Sequence, residues 1–285
     1  MVRRIDADVL ALQEAGPPET LDRLLDALEH RGGYGPPIVG TADARGIRCA
    51  LLTRVPVLRS EVHVTDALPF PVFHEGDPPP FGARLPLRRG IVHARIDAGA
   101  FGPIDLFVAH FKSRRPAPLR DAAGNAARAL GSATPRERAE SELRSLIWRS
   151  AEALYVRSKV DDVFAADPNA MAAVLGDFND VAGSVPVNIV AGSGGSERIG
   201  ELQSCAEVVP EGGRFSIIHR GNGMQIDHIL VSAPLRARLK DAWILNDALR
   251  EHSPVFAGNS GAAGAPCDAL PTIDSDHAPF VARFE

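Results

Sequence analysis

The chain has 285 residues, 45% hydrophobic and 24% charged, which is an ordinary globular mixture. That is enough to bury a sizeable core, and it excludes a disordered chain, a collagen-like fibre and a coiled coil. The net charge of −5 leaves no bulk positive surface for gripping nucleic acid. No run approaches the roughly 20 apolar residues that span a bilayer. Met1-Val2-Arg3-Arg4-Ile5-Asp6 carries no apolar segment behind its basic residues. No signal peptide is therefore visible, and a cytoplasmic location is expected. The cysteines, Cys49, Cys205 and Cys267, are odd in number, far apart and form no CxxC pair. Neither a disulfide framework nor a zinc knuckle is expected from them.

Asp8 to Glu14 reads as a buried strand that ends in polar groups. Thr20 to His30 places Leu21, Leu24, Leu25 and Leu28 at helical spacing, and Gly32-Gly33 stops it. Ile47 to Leu52 reads as a strand running into a Pro-containing turn. Residues 66–90 hold Pro69, Pro71, Pro78, Pro79, Pro80 and Pro86, so this stretch is mostly loop. Ile91 to Ile96 and Ile104 to Phe111 look like paired strands. Residues 114–134 are irregular and rich in Arg, Ala and Pro.

Thr134-Pro135-Arg136-Glu137 then marks a helix start, with an N-cap Thr, Pro at the first helical position and an early acid. The helix is expected to reach about Ala166. Met171 to Leu175 is a short apolar strand. Arg214 to His219 and Gln225 to Ser232 flank Gly221-Asn222-Gly223, a hairpin signal. Ala242 to Leu245 and Pro279 to Phe284 close the chain as strands. Hairpin-like pairs mixed with strands that follow helices predict an α+β protein. One domain over 1–285 is expected, with loop insertions near 66–90 and 114–134.

Five of these segments end an apolar run in groups able to bind a cation or a phosphate. They are Gln13-Glu14, His110-Phe111-Lys112-Ser113, Gly176-Asp177-Phe178-Asn179, Ile226-Asp227-His228-Ile229 and Ser275-Asp276-His277. Strand ends can converge on one rim, so a composite site is geometrically natural. Glu14 and Asp276 can ligate a hard divalent cation such as Mg²⁺. An ionised Asp can orient or deprotonate a water, and a His held by an Asp can face a phosphoryl oxygen. Taken singly, each is more often a turn former, a helix cap or a structural His. Their joint order, QE, HxKS, GDFN, IDH and SDH, is the specific signal.

In that order they resemble the endonuclease/exonuclease/phosphatase superfamily, which includes DNase I-like nucleases, exonuclease III-like repair enzymes and sphingomyelinases. The resemblance covers nearly the whole chain, from Asp8 to Phe284. It implies a four-layer α/β/β/α sandwich and metal-dependent cleavage of a phosphate ester, with Mg²⁺, or alternatively Mn²⁺, as cofactor. It further implies Glu14 as a metal ligand, Asp276 as a second metal-site carboxylate and Asp177 as the residue activating the attacking water. Asn179 would bond the phosphate or nucleophile, Asp227 would orient His277, and His277 would bind the scissile phosphate. His110 resembles the phosphate-contacting or leaving-group-protonating His of DNase I-like members. Its acidic partner is left open between Glu61 and Glu75.

There are two departures, the first strand and the undecided acidic partner of His110. The family's domain opens with a strand carrying an Asn, and here Met1 falls at the helix that follows it, so this first strand is expected to be missing from the chain. The Trp-Cys-Asp-Arg type signature of inositol polyphosphate 5-phosphatases is absent, the aligned position reading Gln225-Ile226-Asp227-His228. Lys112 and Arg114, with Arg115 beside them, form a local basic spot for a flanking phosphate, which favours a phosphodiesterase or nuclease, and a monomer is expected. Lipid or small-molecule phosphodiesters, a phosphatase activity, and a non-catalytic binding protein of the same fold are the alternatives.

Overall fold

The computed structural model describes residues 1–70, 85–121, 125–127, 129–192, 200–247, 249 and 275–285. Much of the Pro-rich stretch, with Phe73, Glu75 and Phe81, lies outside the described residues, as do Cys267 and Asp274.

A short helix α1 (Val2–Ile5) leads into β1 (Val9–Ala15) and α2 (Pro18–Asp26). Then come β2 (Ile38–Val39), β3 (Arg48–Thr53), β4 (Val57–His63), β5 (Ile91–Asp97) and β6 (Pro103–His110). The long α3 (Pro135–Ala166) precedes β7 (Met171–Asp177), α4 (Val185–Ala191) and β8 (Leu202–Ser204). The chain closes with β9 (Ile217–His219), β10 (Asn222–Met224), β11 (Asp227–Ser232), α5 (Ala233–Arg236), β12 (Leu239–Ile244) and β13 (Phe280–Phe284).

Six strands form the main sheet, in the order β4-β5-β6-β7-β11-β8. Its pairs are antiparallel except β6 with β7, which run parallel because α3 carries the chain back between them. Over one face lie α3 and α4. Ala153, Val156, Val160 and Phe164 recur at helical spacing along α3 and pack on Phe107, Ala109, Ala172 and Val174 of the sheet. Over the other face lie β1-β3-β2 and β12-β13. Leu51, Val92, Leu106, Val108, Val231 and Ala242 join both layers there in a second core, with Val9, Ala11 and Phe280 partly buried against it. Helix α2 covers the outer side of β1 and β3 through Leu21 and Leu25, packed on Leu10, Leu52 and Ala50. The result is the expected four-layer α/β/β/α sandwich. Among the described residues, β1 is hydrogen-bonded only to β3, and β13 only to β12.

The α3 start is closed as its sequence predicts. The Glu137 backbone N–H donates to Thr134 Oγ1 (3.2 Å), and the Thr134 backbone N–H donates to Glu137 Oε2 (2.7 Å). Elsewhere the structure corrects the expectations. Strand β4 and helix α4 had no signal strong enough to read. The hairpin turn falls one residue earlier, at Arg220-Gly221, both with positive φ (52° and 75°) as a type I′ turn requires. Asn222 and Gly223 are therefore strand residues, paired with His219 and Ile218. The second arm of that hairpin is β10, which leaves β11 to pair with β7 in the main sheet.

Candidate active site

Strand pairing alone lines up three of the expected residues. In the parallel β6/β7 ladder His110 stands opposite Asp177, and in the antiparallel β7/β11 ladder Asp227 stands opposite Asp177. His110, Asp177 and Asp227 thus form one row across three neighbouring strands. The β6/β7 approach at this rim needs Gly176. Its φ is +141°, and a Cβ there would lie 1.9 Å from the Ala109 carbonyl oxygen.

Asp177 is buried and well ligated. Asn179 lies in the left-handed region (φ 53°), so its backbone N–H donates to Asp177 Oδ1 (2.7 Å). The same side chain's Nδ2 donates to Asp177 Oδ2 (2.9 Å) and to the Phe111 carbonyl (3.1 Å). His110 Nε2 lies 3.3 Å from Asp177 Oδ2. Burial, and then the nearby Asp227 carboxylate, push the Asp177 pKa well above the ordinary carboxylate range. Burial pushes His110 far down, so it is neutral, and its buried Nδ1 has no hydrogen-bond partner.

His277 reaches this row from the loop before β13, with Nδ1 2.8 Å from Asp227 Oδ2. Burial alone would lower its pKa. The bond to Asp227 and the charges of Asp227, Asp177 and Asp276 overcome that and raise it to about 9. Ser216, fully buried, builds this corner. Its hydroxyl accepts from the backbone N–H groups of Ile226 (3.1 Å) and Asp227 (3.2 Å), and its carbonyl accepts from Ala278 N–H (2.7 Å). One serine therefore fixes both partners of the Asp227–His277 pair.

Further buried groups hold the rim without entering the row. Arg89 donates from Nε to the His110 carbonyl (2.9 Å) and from Nη2 to the Phe111 carbonyl (2.7 Å), while Nη1 pairs with Asp43 (3.2 Å). Asp180 takes a two-pronged contact from Arg149 (2.9 and 2.7 Å), and its carbonyl lies 2.8 Å from His228 Nε2. Glu152, fully buried on α3, accepts the Lys112 backbone N–H (2.5 Å). Burial raises its pKa to about 7. Local motif reading missed Ser216, Arg89, Asp43, Arg149, Asp180 and Glu152, because their meaning lies in long-range partners.

Not every expected residue reaches the row. The ammonium of Lys112 is engaged by the carbonyls of Ser113 (2.8 Å) and Arg115 (2.7 Å), so it also shapes its own loop. Arg114 is half-exposed and pairs with Asp180 (3.1 Å). Glu61 is no partner of His110: it pairs with Arg59 (2.7 Å) and stands 3.5 Å from His63. Glu14 is exposed, with φ 52°, where the β1/β3 register shifts. Asp276 is exposed beside His277.

Asp177, Asp227 and His277 can each bring one ligand atom within 4.8 Å of the others, so the row can hold a metal ion. The donor set suits a hard divalent cation through its carboxylates, whose mutual repulsion is what such an ion relieves.

A strand-end row of acids and histidines on a four-layer sandwich defines a hydrolase-type site. The chain belongs to the Endonuclease/Exonuclease/phosphatase family, whose model matches residues 1–277. A search of curated proteins finds none that matches the sequence. Among solved structures, the chain is similar to a mannosyl-6-phosphatase of Bacteroides thetaiotaomicron, at 19% identity over 100% of this chain and 88% of that one, with a TM-score of 0.57. It is also similar to a 3′-5′ exonuclease of Neisseria meningitidis (17%, 100% and 93%, 0.55) and to an AP endonuclease of Archaeoglobus fulgidus (17%, 100% and 91%, 0.52). At these identities the likeness is one of fold.

Proposed function

We propose that this protein is a divalent-metal-dependent phosphoester hydrolase, and within that class a phosphodiesterase or nuclease working as a single domain and as a monomer. The observation that carries the reading is the row His110–Asp177–Asp227 with His277 hydrogen-bonded to its end. Asp227 keeps His277 protonated, and an imidazolium beside the row suits a phosphoryl oxygen on which negative charge develops. Asp177 is the group to take the proton of an attacking water, its high pKa matching it to a base near neutral pH. Asn179 donates to both Asp177 oxygens and so sets the direction of the carboxylate. Neutral His110 stands next to Asp177, where it can contact the phosphate or the leaving group.

Mg²⁺, or Mn²⁺, would be held by the carboxylates of Glu14 and Asp276, which leaves Asp177 free to act as the base and Asp227 paired with His277. When bound, it would neutralise phosphoryl charge. Lys112 organises the HxKS loop, and Arg114 is left as the exposed cation that can meet a flanking phosphate.

A sugar or other small phosphomonoester is the second reading, favoured by the net charge of −5 and by the likeness in fold to a sugar phosphatase over the whole chain. Turnover should be measured with Mg²⁺ and Mn²⁺ on double-stranded, single-stranded and abasic DNA, RNA, sphingomyelin, a hexose 6-phosphate and bis-p-nitrophenyl phosphate. Asp177→Asn and His277→Ala should each abolish turnover in a folded protein. Retained activity in either would refute the assignment.

A further inference from the structure

A second cluster of ligand-type side chains lies on the opposite side of the main sheet from the β1 and β13 layers. Glu61 and His63 of β4 and His93 of β5 project toward α3, as the alternation of each strand dictates, and Glu61 pairs directly with His93 across the ladder. Each can bring one ligand atom within 4.8 Å of the others. The cluster shares no residue with the row described above.

Its hydrogen bonds orient the two rings as ligands. His93 Nε2 is 2.9 Å from Asp105 Oδ1, and Asp105 is buried and paired with Arg95 (2.6 Å). That carboxylate places the His93 proton on Nε2 and leaves a lone pair on Nδ1. His93 Nδ1 faces His63 Nε2 at 3.2 Å. His63 Nδ1 lies 3.5 Å from Glu61 Oε1. Both rings thus bring a nitrogen to one point, and His93 is backed by the Asp105 carboxylate, which is the arrangement that orients a metal-bound histidine. Ligands about 2.05 Å from a tetrahedral Zn²⁺ stand about 3.3 Å apart, close to the observed 3.2 Å. Stacking of His63 and His93 (centroids 5.3 Å apart) and of His93 on Phe107 (4.0 Å) holds both rings. Three cations surround the cluster: Arg59, which pairs with Glu61 (2.7 Å), Arg95, which pairs with Asp105, and Lys159, which pairs with Asp162 (3.2 Å).

We propose that His63, His93 and Glu61 form a second metal site, selective for a borderline divalent ion such as Zn²⁺, with Asp105 as the positioning carboxylate. Imidazole ligands favour Zn²⁺ over Mg²⁺, so this site is chemically distinct from the carboxylate-lined row. It would pin β4, the edge strand with five exposed residues from Val57 to Glu61, onto the sheet.

The test is Zn²⁺ titration against a chromophoric chelator. The protein carries Asp177→Asn and His277→Ala so that the row cannot contribute, and it is compared with the same protein bearing His63→Gln, His93→Gln or Glu61→Gln. Expected are one tight Zn²⁺, loss of at least tenfold in affinity with either His change, and a smaller loss with Glu61→Gln. A thousandfold excess of Mg²⁺ should not displace the ion. Co²⁺ should give visible bands of tetrahedral nitrogen ligation that both His changes erase. If His93→Gln fails to fold by circular dichroism, His63→Gln decides. No Zn²⁺ binding, which would make Asp105–His93–His63 a plain hydrogen-bond chain, or equal affinity in the His variants, overturns the proposal.

Discussion

Replacing Asp227 by Asn removes one charge and keeps an acceptor for His277 Nδ1, so it isolates the electrostatic part of the pair. An ordinary His titrates near 6.5, and here Asp227 and its neighbours hold His277 at about 9 against the opposing effect of burial. Each pH unit is worth about 1.4 kcal/mol, so the folded protein favours the imidazolium by about 3 kcal/mol. That is a reasonable net figure, since opposite unit charges about 4 Å apart attract by roughly 4 kcal/mol at an effective dielectric near 20. With Asp227→Asn, His277 should titrate below about 7, read by NMR of the imidazole nitrogens in chelator-treated protein. Because the folded pKa is raised, the pair's stabilisation is fully present below about pH 6.5 and is lost as pH rises through 9. The wild-type melting temperature should therefore drop between pH 6.5 and 9.5, and the variant should show a flatter profile. If His277 still titrates above about 8 in the variant, Asp227 is not what holds its proton.

Three other expectations follow from buried groups around the row. Glu152 has a folded pKa raised to about 7, so its charge opposes folding increasingly as pH rises from 4.5 through 7. Glu152→Gln should match or exceed wild-type stability in urea at pH 8, whereas Glu152→Ala, which orphans the Lys112 N–H, should cost roughly 1–3 kcal/mol. Asp180→Asn uncompensates Arg149 in a buried setting and should cost about 3–5 kcal/mol by chemical denaturation; a loss under 1 kcal/mol would mean the pair is well solvated. Gly176→Ala meets the Ala109 carbonyl and should cost more than about 4 kcal/mol, seen as loss of soluble protein; a soluble variant with an unchanged urea midpoint would show the strands can part there.

What could be read in the sequence follows the range of the interactions involved. The α3 start was legible because its capping box spans three residues, and β5, β6 and β7 because apolar runs bounded by turns are local. The row itself was half legible: His110, Asp177, Asp227 and His277 announce themselves as strand-end polar groups, and the ladder register then brings the first three side by side. Roles that depend on who else is nearby were not legible. Lys112 reads as a phosphate ligand in one dimension, and the two carbonyls its ammonium finds within three residues of chain were not legible there. Glu61 looks like a spare acid near His110, yet side-chain alternation turns it toward α3 and His93. Ser216 carries no sequence signal at all, because its hydroxyl matters only where β11 begins. The same distinction explains why Asp43 and Arg89 went unread. Each satisfies a buried partner dozens of residues away, and together they set the height at which His110 leaves β6. Catalytic side chains are few and chemically marked, whereas the groups that aim them are common residue types recognisable only by burial and partner.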